Sequence, residues 1–506
     1  MVRSIATGVA SFLALSLELS VGAAFARDPF TDFSPAAAVK KLAIATSHIS
    51  IPRLEHSVEG ELVPIQAHYS GELHTQRFQH TVGGIEVLGS QVLRHTQLGS
   101  VQGFLGLNDP TVLTDRVAHF DLDLKPVLSM EQALQVALLE APGQNPSIKP
   151  RLLVIPNKTL QSAKLVYRVE IAGQGTIEGR VVDVDAHNGR MLASVSRHWE
   201  IAPVDVFSTT PRCQVLAPIA DELGGRAPVS VEHLNCRKVV KAGKVLKSAD
   251  EKAKRALANS QKVLNYYWEN HKRDSYDNMG STLTNIVHVG DRWTNAYWDS
   301  ENAVMAYGDG DGAKFKNLTL SVDVAGHEMT HGVVSKTANL EYQSESGAAN
   351  EGLADFFGES IEGQQDWVMG RELFVDPVAG ENGLRNLVDP SKTTYRWKDA
   401  DGKLIRKSAP KHYSEIFKFG DQMCGRMNDN CGVHMNATLI GHTGYLLVQK
   451  MGREKAEKVF YTTLVHFLTE TSDFKEFGVS ARKACGTLYS EGECADLDSV
   501  LNQVGL

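Results

Sequence analysis

Cysteine is absent before position 213, and only six occur in the 506 residues: Cys213, Cys236, Cys424, Cys431, Cys485 and Cys494. None forms a C-x-x-C pair, which argues against a dithiol redox site or a zinc knuckle. An even number favours disulfides and a compartment outside the cytosol. Closeness in sequence suggests pairing 213 with 236, 424 with 431 and 485 with 494, although six cysteines allow many other connectivities. An excess of either charge is also missing, since 52 basic and 60 acidic residues leave a formal −8. Such a chain has no electrostatic reason to seek nucleic acid or an anionic membrane. Internal repeats and low-complexity stretches are lacking too. Beyond the N-terminus no apolar run reaches the length that crossing a bilayer requires.

What is present begins with an export pattern. Arg3 supplies a positive start, Ile5 to Leu17 is mainly apolar and small, and Ala24-Phe25-Ala26 has the small-x-small form of a cleavage site. Glu18 interrupts the pattern, and the run is too short to anchor the chain by spanning. Residues 1–26 are therefore read as a signal peptide, and the mature protein as secreted and soluble.

From about 28 to 195 the chain alternates as strands do. Arg77 to Val82 and Ile85 to Leu88 flank a Gly83-Gly84 turn, and Arg151 to Ile155, Lys164 to Ile171 and Gly179 to Val184 follow, with a turn at Asn188-Gly189. Between them Ser129 can cap a helix running to Leu139. This pattern predicts an α+β region without catalytic chemistry of its own. Pro203 and the Ser208-Thr209-Thr210-Pro211 run mark a linker within 193–212. Past it a helix is expected over Ala249 to Asn270, opened by Ser248. Strands are expected at Thr284 to Val289 and Ala303 to Tyr307, and helices dominate after Val322.

The decisive stretch is His327-Glu328-Met329-Thr330-His331, inside an apolar, helix-compatible run. Four residues of helix bring both imidazoles to one face, where they can share a metal ion. Glu328, beside the first histidine, can reach metal-held water without coordinating. Two histidines on an amphipathic helix would look the same, so support has to come from elsewhere. It comes from Gly347 to Gly358, which places Glu351 twenty residues beyond His331 and Asp355 one turn later, both among Ala, Leu and Phe. Catalytic zinc takes three protein ligands and leaves a position open. Asp355 can hold a ligand imidazole in place.

These segments resemble the thermolysin-like neutral metallopeptidases, from about Tyr276 to the C-terminus. The resemblance rests on the two motifs above with Asn295 to Trp298, Tyr307 to Gly312 and Gly432 to His434. It implies a two-lobed zincin catalytic domain, strand-rich then helical, behind an α+β propeptide. The expected division is signal 1–26, propeptide 27–200, N-terminal lobe 201–330 with the zinc helix, and helical lobe 331–506. Zinc would be held by His327, His331 and Glu351, with Glu328 as general base. The resemblance implies Tyr342 and His434 as oxyanion donors, with Asp429 orienting His434. Asn295 and Ala296 would pair with an extended peptide on a strand edge, and Arg385 would donate to a substrate carbonyl. Taken alone, Arg385 would pass for one half of a surface salt bridge. Phe315, Leu318, Val324 and Leu384 would line the pocket for the residue after the scissile bond and favour bulky apolar side chains there.

The resemblance also implies one calcium site, from Asp323, Glu359, Glu362, Asp366 and the carbonyl of Val368, since clustered carboxylates repel unless a hard cation joins them. The segment between Glu362 and Asp366 is short, and Arg371 stands where thermolysin has an acid. Both features are closer to the elastase and vibriolysin branch of Gram-negative bacteria. Gly308 to Gly312 lacks EF-hand spacing and reads as a tight turn between strands. The 78–92 and 129–195 segments resemble propeptide modules that assist folding and inhibit, so partners are protein and peptide substrates and the chain's own propeptide. The family habit implies a monomer, autoprocessed in the 193–212 linker. A zincin-like binding protein without activity and a structural-zinc protein are the competing readings. The complete donor set disfavours the first, and the want of a fourth Cys or His disfavours the second.

Overall fold

Two large sheets, two two-stranded sheets and a set of helices are built by the described residues. The computed structural model describes residues 61–70, 73–97, 122–139, 146, 149–156, 162–171, 179–196, 198–200, 216–219, 229–233, 251–289, 291–300, 303–363, 366–398, 404–420 and 422–506. The signal-peptide stretch, most of the linker and the expected 213–236 pair lie outside them. Residues 58–506 form one compact unit.

The first sheet has seven strands in chain order: β1 (Glu61–Ser70), β2 (Leu73–Val82), β3 (Ile85–Gln97), β4 (Arg151–Pro156), β5 (Ala163–Ile171), β6 (Arg180–Asp185) and β7 (Met191–Ser196). All neighbours are antiparallel except β3 and β4. Gly83 and Gly84, at φ +57° and +76°, make the β2–β3 turn in the left-handed region a tight hairpin demands. α1 (Met130–Ala137) starts at Ser129 with a full capping box, Ser129 and Gln132 satisfying each other's backbone. It buries Ala133 and Ala137 against Leu165, Val169, Val182 and Val184.

The second sheet runs β8 (His198–Glu200), β12 (Ala296–Asp299), β13 (Val304–Gly308), β11 (Leu283–Val289), β10 (Val229–His233) and β9 (Leu216–Ile219). α2 (Glu251–His271) comes between β10 and β11, and the other helices follow the strands of this sheet: α3 (Val322–Ser335), α4 (Ser344–Glu362), α5 (Asp429–Met451), α6 (Arg453–Thr462), α7 (Phe474–Leu488) and α8 (Glu491–Val504). The strand-rich then helical order is the one expected. The helix placed at the end of the first lobe, α3, runs without a break to Ser335. The Gly308–Gly312 run is corrected. It leads from β13 into the 3₁₀ turn Leu318–Leu320, not between strands, because Asp311 Oδ1 accepts from the N–H groups of Ala313, Lys314 and Phe315.

α3 and α4 pack at the centre of the main core, and nearly every residue of both is buried. The approach is close because glycines face across it. A Cβ on Gly358 would stand 2.5 Å from the Asp323 carbonyl oxygen, and one on Gly326 would stand 2.8 Å from Ile361 Cδ1. Acidic residues at 351, 355, 359 and 362 follow the helical period, so α4 presents one acidic stripe to α3. Disulfides join Cys424 to Cys431 and Cys485 to Cys494, as closeness in sequence suggested.

Candidate metal centre and active site

The first turns of α4 and the middle of α3 bring His327, His331 and Glu351 together, all fully buried. The two Nε2 atoms are 3.0 Å apart, Glu351 Oε2 is 3.4 Å from that of His327, and Oε1 is 3.3 Å from that of His331. The far ring nitrogens are both held. His327 Nδ1 lies 2.9 Å from Asp355 Oδ1, and His331 Nδ1 lies 2.9 Å from Asn350 Oδ1. Since those oxygens accept, the protons sit on Nδ1 and both Nε2 lone pairs point at each other and at a carboxylate. Two imidazole nitrogens and a carboxylate converge within reach of one another, an arrangement that a bound cation relieves. Donors about 2.0–2.1 Å from a tetrahedral zinc ion stand about 3.3 Å apart, so the set fits that ion. With no ion between the donors, burial opposes charge on His327, yet Asp355 and Glu351 outweigh it and lift the ring to about 9, so a cation bound there would have to displace the Nε2 proton. Burial likewise opposes charge on Glu351, and His434, followed by His331 and His327, holds its carboxyl well below the carboxylate range.

Glu328 is buried beside this centre, and neither of its oxygens has a hydrogen-bond partner. Burial pushes its carboxyl up to about 8, with His327 pulling the other way. A buried acceptor left unsatisfied is costly unless a donor reaches it in use. On the opposite side the Tyr342 hydroxyl donates to Glu351 Oε1 at 2.5 Å and lies 3.3 Å from His434 Nε2. Asp429 grips His434 twice, Oδ1 at 2.5 Å from Nδ1 and Oδ2 accepting from the backbone N–H at 2.9 Å. Burial disfavours the imidazolium, but Asp429 and Glu351 carry it to about 9.

Arg385 is no surface ion-pair partner. It is 1% exposed, and its Nε and Nη2 each lie 2.6 Å from a different oxygen of Asp355. Asp355 therefore links the arginine to His327. Asn295 and Ala296 are buried where β12 begins, with Ala296 opposite Tyr307 of β13. Phe315, Leu318 and Val324 belong to the main core, and Leu384 is half-buried against it.

The carboxylates expected to bind calcium gather at the far end of the same helix pair. Glu359, Glu362 and Asp366 form one group and Asp323, Glu362 and Glu372 another. Both Glu359 oxygens are buried without a partner. Burial, then Asp323 and Glu362, pushes this carboxyl far up. Arg371 pairs with Asp366 at 3.0 Å. The oxygen set fits a hard cation. Sequence reasoning missed Glu372, whose only local signal is an acid one position after Arg371. It also missed Asn350, adjacent to Glu351, and Tyr395, whose hydroxyl donates to the His434 carbonyl at 2.9 Å.

The pattern of the thermolysin metallopeptidase catalytic domain matches residues 229–335, and that of its alpha-helical domain matches residues 338–506. Bacillolysin from Brevibacillus brevis is 30% identical over 454 residues, covering 83% of this chain and 80% of that protein. Thermolysin from Alicyclobacillus acidocaldarius is 28% identical over 486 residues, 86% of this chain and 84% of its own. Neutral protease B from Bacillus subtilis is 35% identical over 263 residues, and there the match spans 44% of the relative. Among solved structures, the precursor of protealysin, a metalloproteinase from Serratia proteamaculans, aligns with 60% of this chain and 90% of its own at 24% identity and a TM-score of 0.47. The chain belongs to the thermolysin metallopeptidase family and is a metalloendopeptidase.

Proposed function

We propose that the chain is exported by the 1–26 signal, is made as an inactive precursor, and hydrolyses protein and peptide bonds once residues 27–200 are removed. The observation that carries this is the convergence of two imidazole lone pairs and a carboxylate beside an unpartnered Glu328. Zinc held by His327, His331 and Glu351 would supply the Lewis acid that polarises the scissile carbonyl and acidifies water. The remaining work falls to side chains. Glu328, with its carboxyl raised towards neutrality, takes a proton from the attacking water and returns it to the leaving nitrogen. Tyr342 and the cationic His434 face the pocket as donors where negative charge develops on the carbonyl oxygen. Asp429 keeps His434 charged and aimed. Asp355 keeps His327 in the Nδ1–H form and anchors Arg385, which reaches toward a substrate carbonyl.

The edge of β12 at Asn295 and Ala296 would hold an extended peptide by main-chain pairing. Phe315, Leu318, Val324 and Leu384 would take a bulky apolar residue just after the cut. Calcium at Asp323, Glu359, Glu362 and Asp366, with the Val368 carbonyl and now Glu372, would neutralise the acidic end of α4. Among the described residues no helix is long and apolar enough to cross a membrane. A monomer without nucleic-acid or membrane partners completes the reading.

The test is hydrolysis of a peptide library by the processed protein, with and without a zinc chelator. Glu328→Gln should retain zinc and lose about 10²–10⁴-fold in kcat. Glu328→Ala made as the full chain should accumulate uncut. Undiminished hydrolysis after zinc removal would sink the mechanism.

A further inference from the structure

The helical backbone of α5 begins only after Gly432. Asp429, Asn430, Cys431 and Gly432 all hold positive φ, and at Cys431 the value is +64°. A residue with a β-carbon avoids this region unless its surroundings over-determine it. Asp and Asn ease the fit with a short polar side chain, and cysteine does not.

Two restraints hold Cys431 there. The first is Asn428, whose side-chain oxygen accepts from the Gly425 N–H at 3.0 Å and the Cys431 N–H at 3.1 Å. Its amide donates in turn to the Met423 carbonyl at 3.0 Å. The second is covalent. Cys431 is bonded to Cys424, seven residues back, with the two Cα atoms 5.0 Å apart. A further brace comes from the N-terminal sheet, where the Ser194 N–H of β7 donates to the Cys424 carbonyl at 3.2 Å. That brace leaves with residues 27–200 under the processing proposed above, and the disulfide stays.

What the turn delivers is Asp429. Its Oδ2 accepts from the N–H groups of His434 and Met435 at 2.9 and 3.1 Å, while Oδ1 lies 2.5 Å from His434 Nδ1. The other nitrogen of that ring, Nε2, lies 3.3 Å from the Tyr342 hydroxyl. Backbone that relaxed at 431 would carry Asp429 off the imidazole and free the ring to turn away.

We propose that the Cys424–Cys431 disulfide is a positioning group for the reaction, keeping Cys431 in left-handed backbone so that Asp429 stays on His434 and His434 stays aimed as an oxyanion donor. The inference rests on the zinc endopeptidase reading above. It makes the bond a determinant of kcat more than of KM, because the donor acts where charge develops and not on the bound ground state. Glycine should do without the bond what cysteine does with it, since it has no β-carbon to oppose positive φ.

Peptide hydrolysis is measured on the processed enzyme with zinc in excess, kcat being taken per bound zinc. Cys424→Ala with Cys431→Ala should lose about tenfold or more in kcat, the order by which a β-carbon disfavours this backbone, with KM within about twofold. Cys424→Ala with Cys431→Gly lacks the same bond and should come back to within about threefold of wild type. Should the first variant fail to mature, a phosphine reductant replaces it. Reduction should then lower kcat about tenfold in the wild type and leave the glycine form where it was, which also controls for every other disulfide. Full kcat in the alanine form, an equal fall in the alanine and glycine forms, or an equal response of wild type and glycine form to reductant overturns the inference while zinc-dependent hydrolysis by the wild type stands. Wild-type hydrolysis that survives zinc removal overturns the underlying reading instead.

Discussion

Asp355 shows how much one side chain is asked to do. It is fully buried, lies on His327 Nδ1, and accepts from Nε and Nη2 of Arg385. Removing the arginine leaves a buried carboxylate with half its compensation, which costs about 3–5 kcal/mol. Arg385→Ala should lower the unfolding free energy by that order in a denaturant titration. Arg385→Lys should not restore it, because an ammonium cannot span both oxygens. Tyr342 makes a contrasting case. Its hydroxyl touches Glu351 and His434 but carries no packing that phenylalanine would lose. Tyr342→Phe should cut kcat by about 10²-fold with KM nearly unchanged, and steady-state kinetics decides it. Roles at this scale were legible where the helical period fixes neighbours, as with 327 and 331 or 351 and 355. Glu372 escaped because nothing local announces a carboxylate that reaches its cluster through the chain's return past Asp323.

At the scale of elements, the α3–α4 contact serves both candidate metal sites. Gly358 lets the Asp323 backbone lie against α4, so the histidines of one helix meet Glu351 of the other and Asp323 meets Glu362. An added methyl must push the helices apart, since its nearest neighbour would be a backbone oxygen at 2.5 Å. Gly358→Ala is therefore expected to destabilise by about 1–3 kcal/mol. It should also release zinc faster during dialysis against a chelator, read by metal analysis together with the thermal melt. Sequence patterning exposed both helices, because acids embedded among Ala, Leu and Phe do not belong on a solvated face. It did not expose the run from Asp429 to Gly432, four residues in succession at φ +55°, +47°, +64° and +83°. Asp429, Asn430 and Gly432 are residues that tolerate left-handed backbone, but Cys431 is not. The fold imposes that conformation, with Asp429 bent back onto His434 and Cys431 tied to Cys424.

Across the whole molecule the pattern of alternating residues revealed an α+β region ahead of the catalytic one, but not how the two meet. They meet through buried basic groups. Thr75 of β2 bridges His95 of β3 and His466 of the catalytic region, at 2.9 and 2.8 Å, and Arg77 donates to the Leu468 carbonyl at 2.7 Å. Burial, then Arg77 and Arg273, pushes His68 down to about 3, while burial, then Lys483 and Arg77, pushes His95 down to about 4. His466 is held well below its usual range by burial and then by those histidines and arginines. Once exposed, each ring returns to about 6.5 and takes up protons that the docked state refuses. Stability from this cluster is complete above about pH 6.5 and falls as the pH drops toward 4. Glu470 works in the opposite direction. Its carboxyl is pushed up to about 7 by burial and then by Glu341, so it gains a proton in the docked state over part of the same range. Three histidines outweigh one carboxyl, so the net effect is destabilising. The uncut Glu328→Ala precursor should therefore melt progressively lower from pH 6.5 to about 4, and adding His95→Gln should flatten that slope. Comparing the two slopes isolates the contribution of His95 from every other titrating group. Equal slopes would mean that these histidines do not govern how firmly the N-terminal sheet is held.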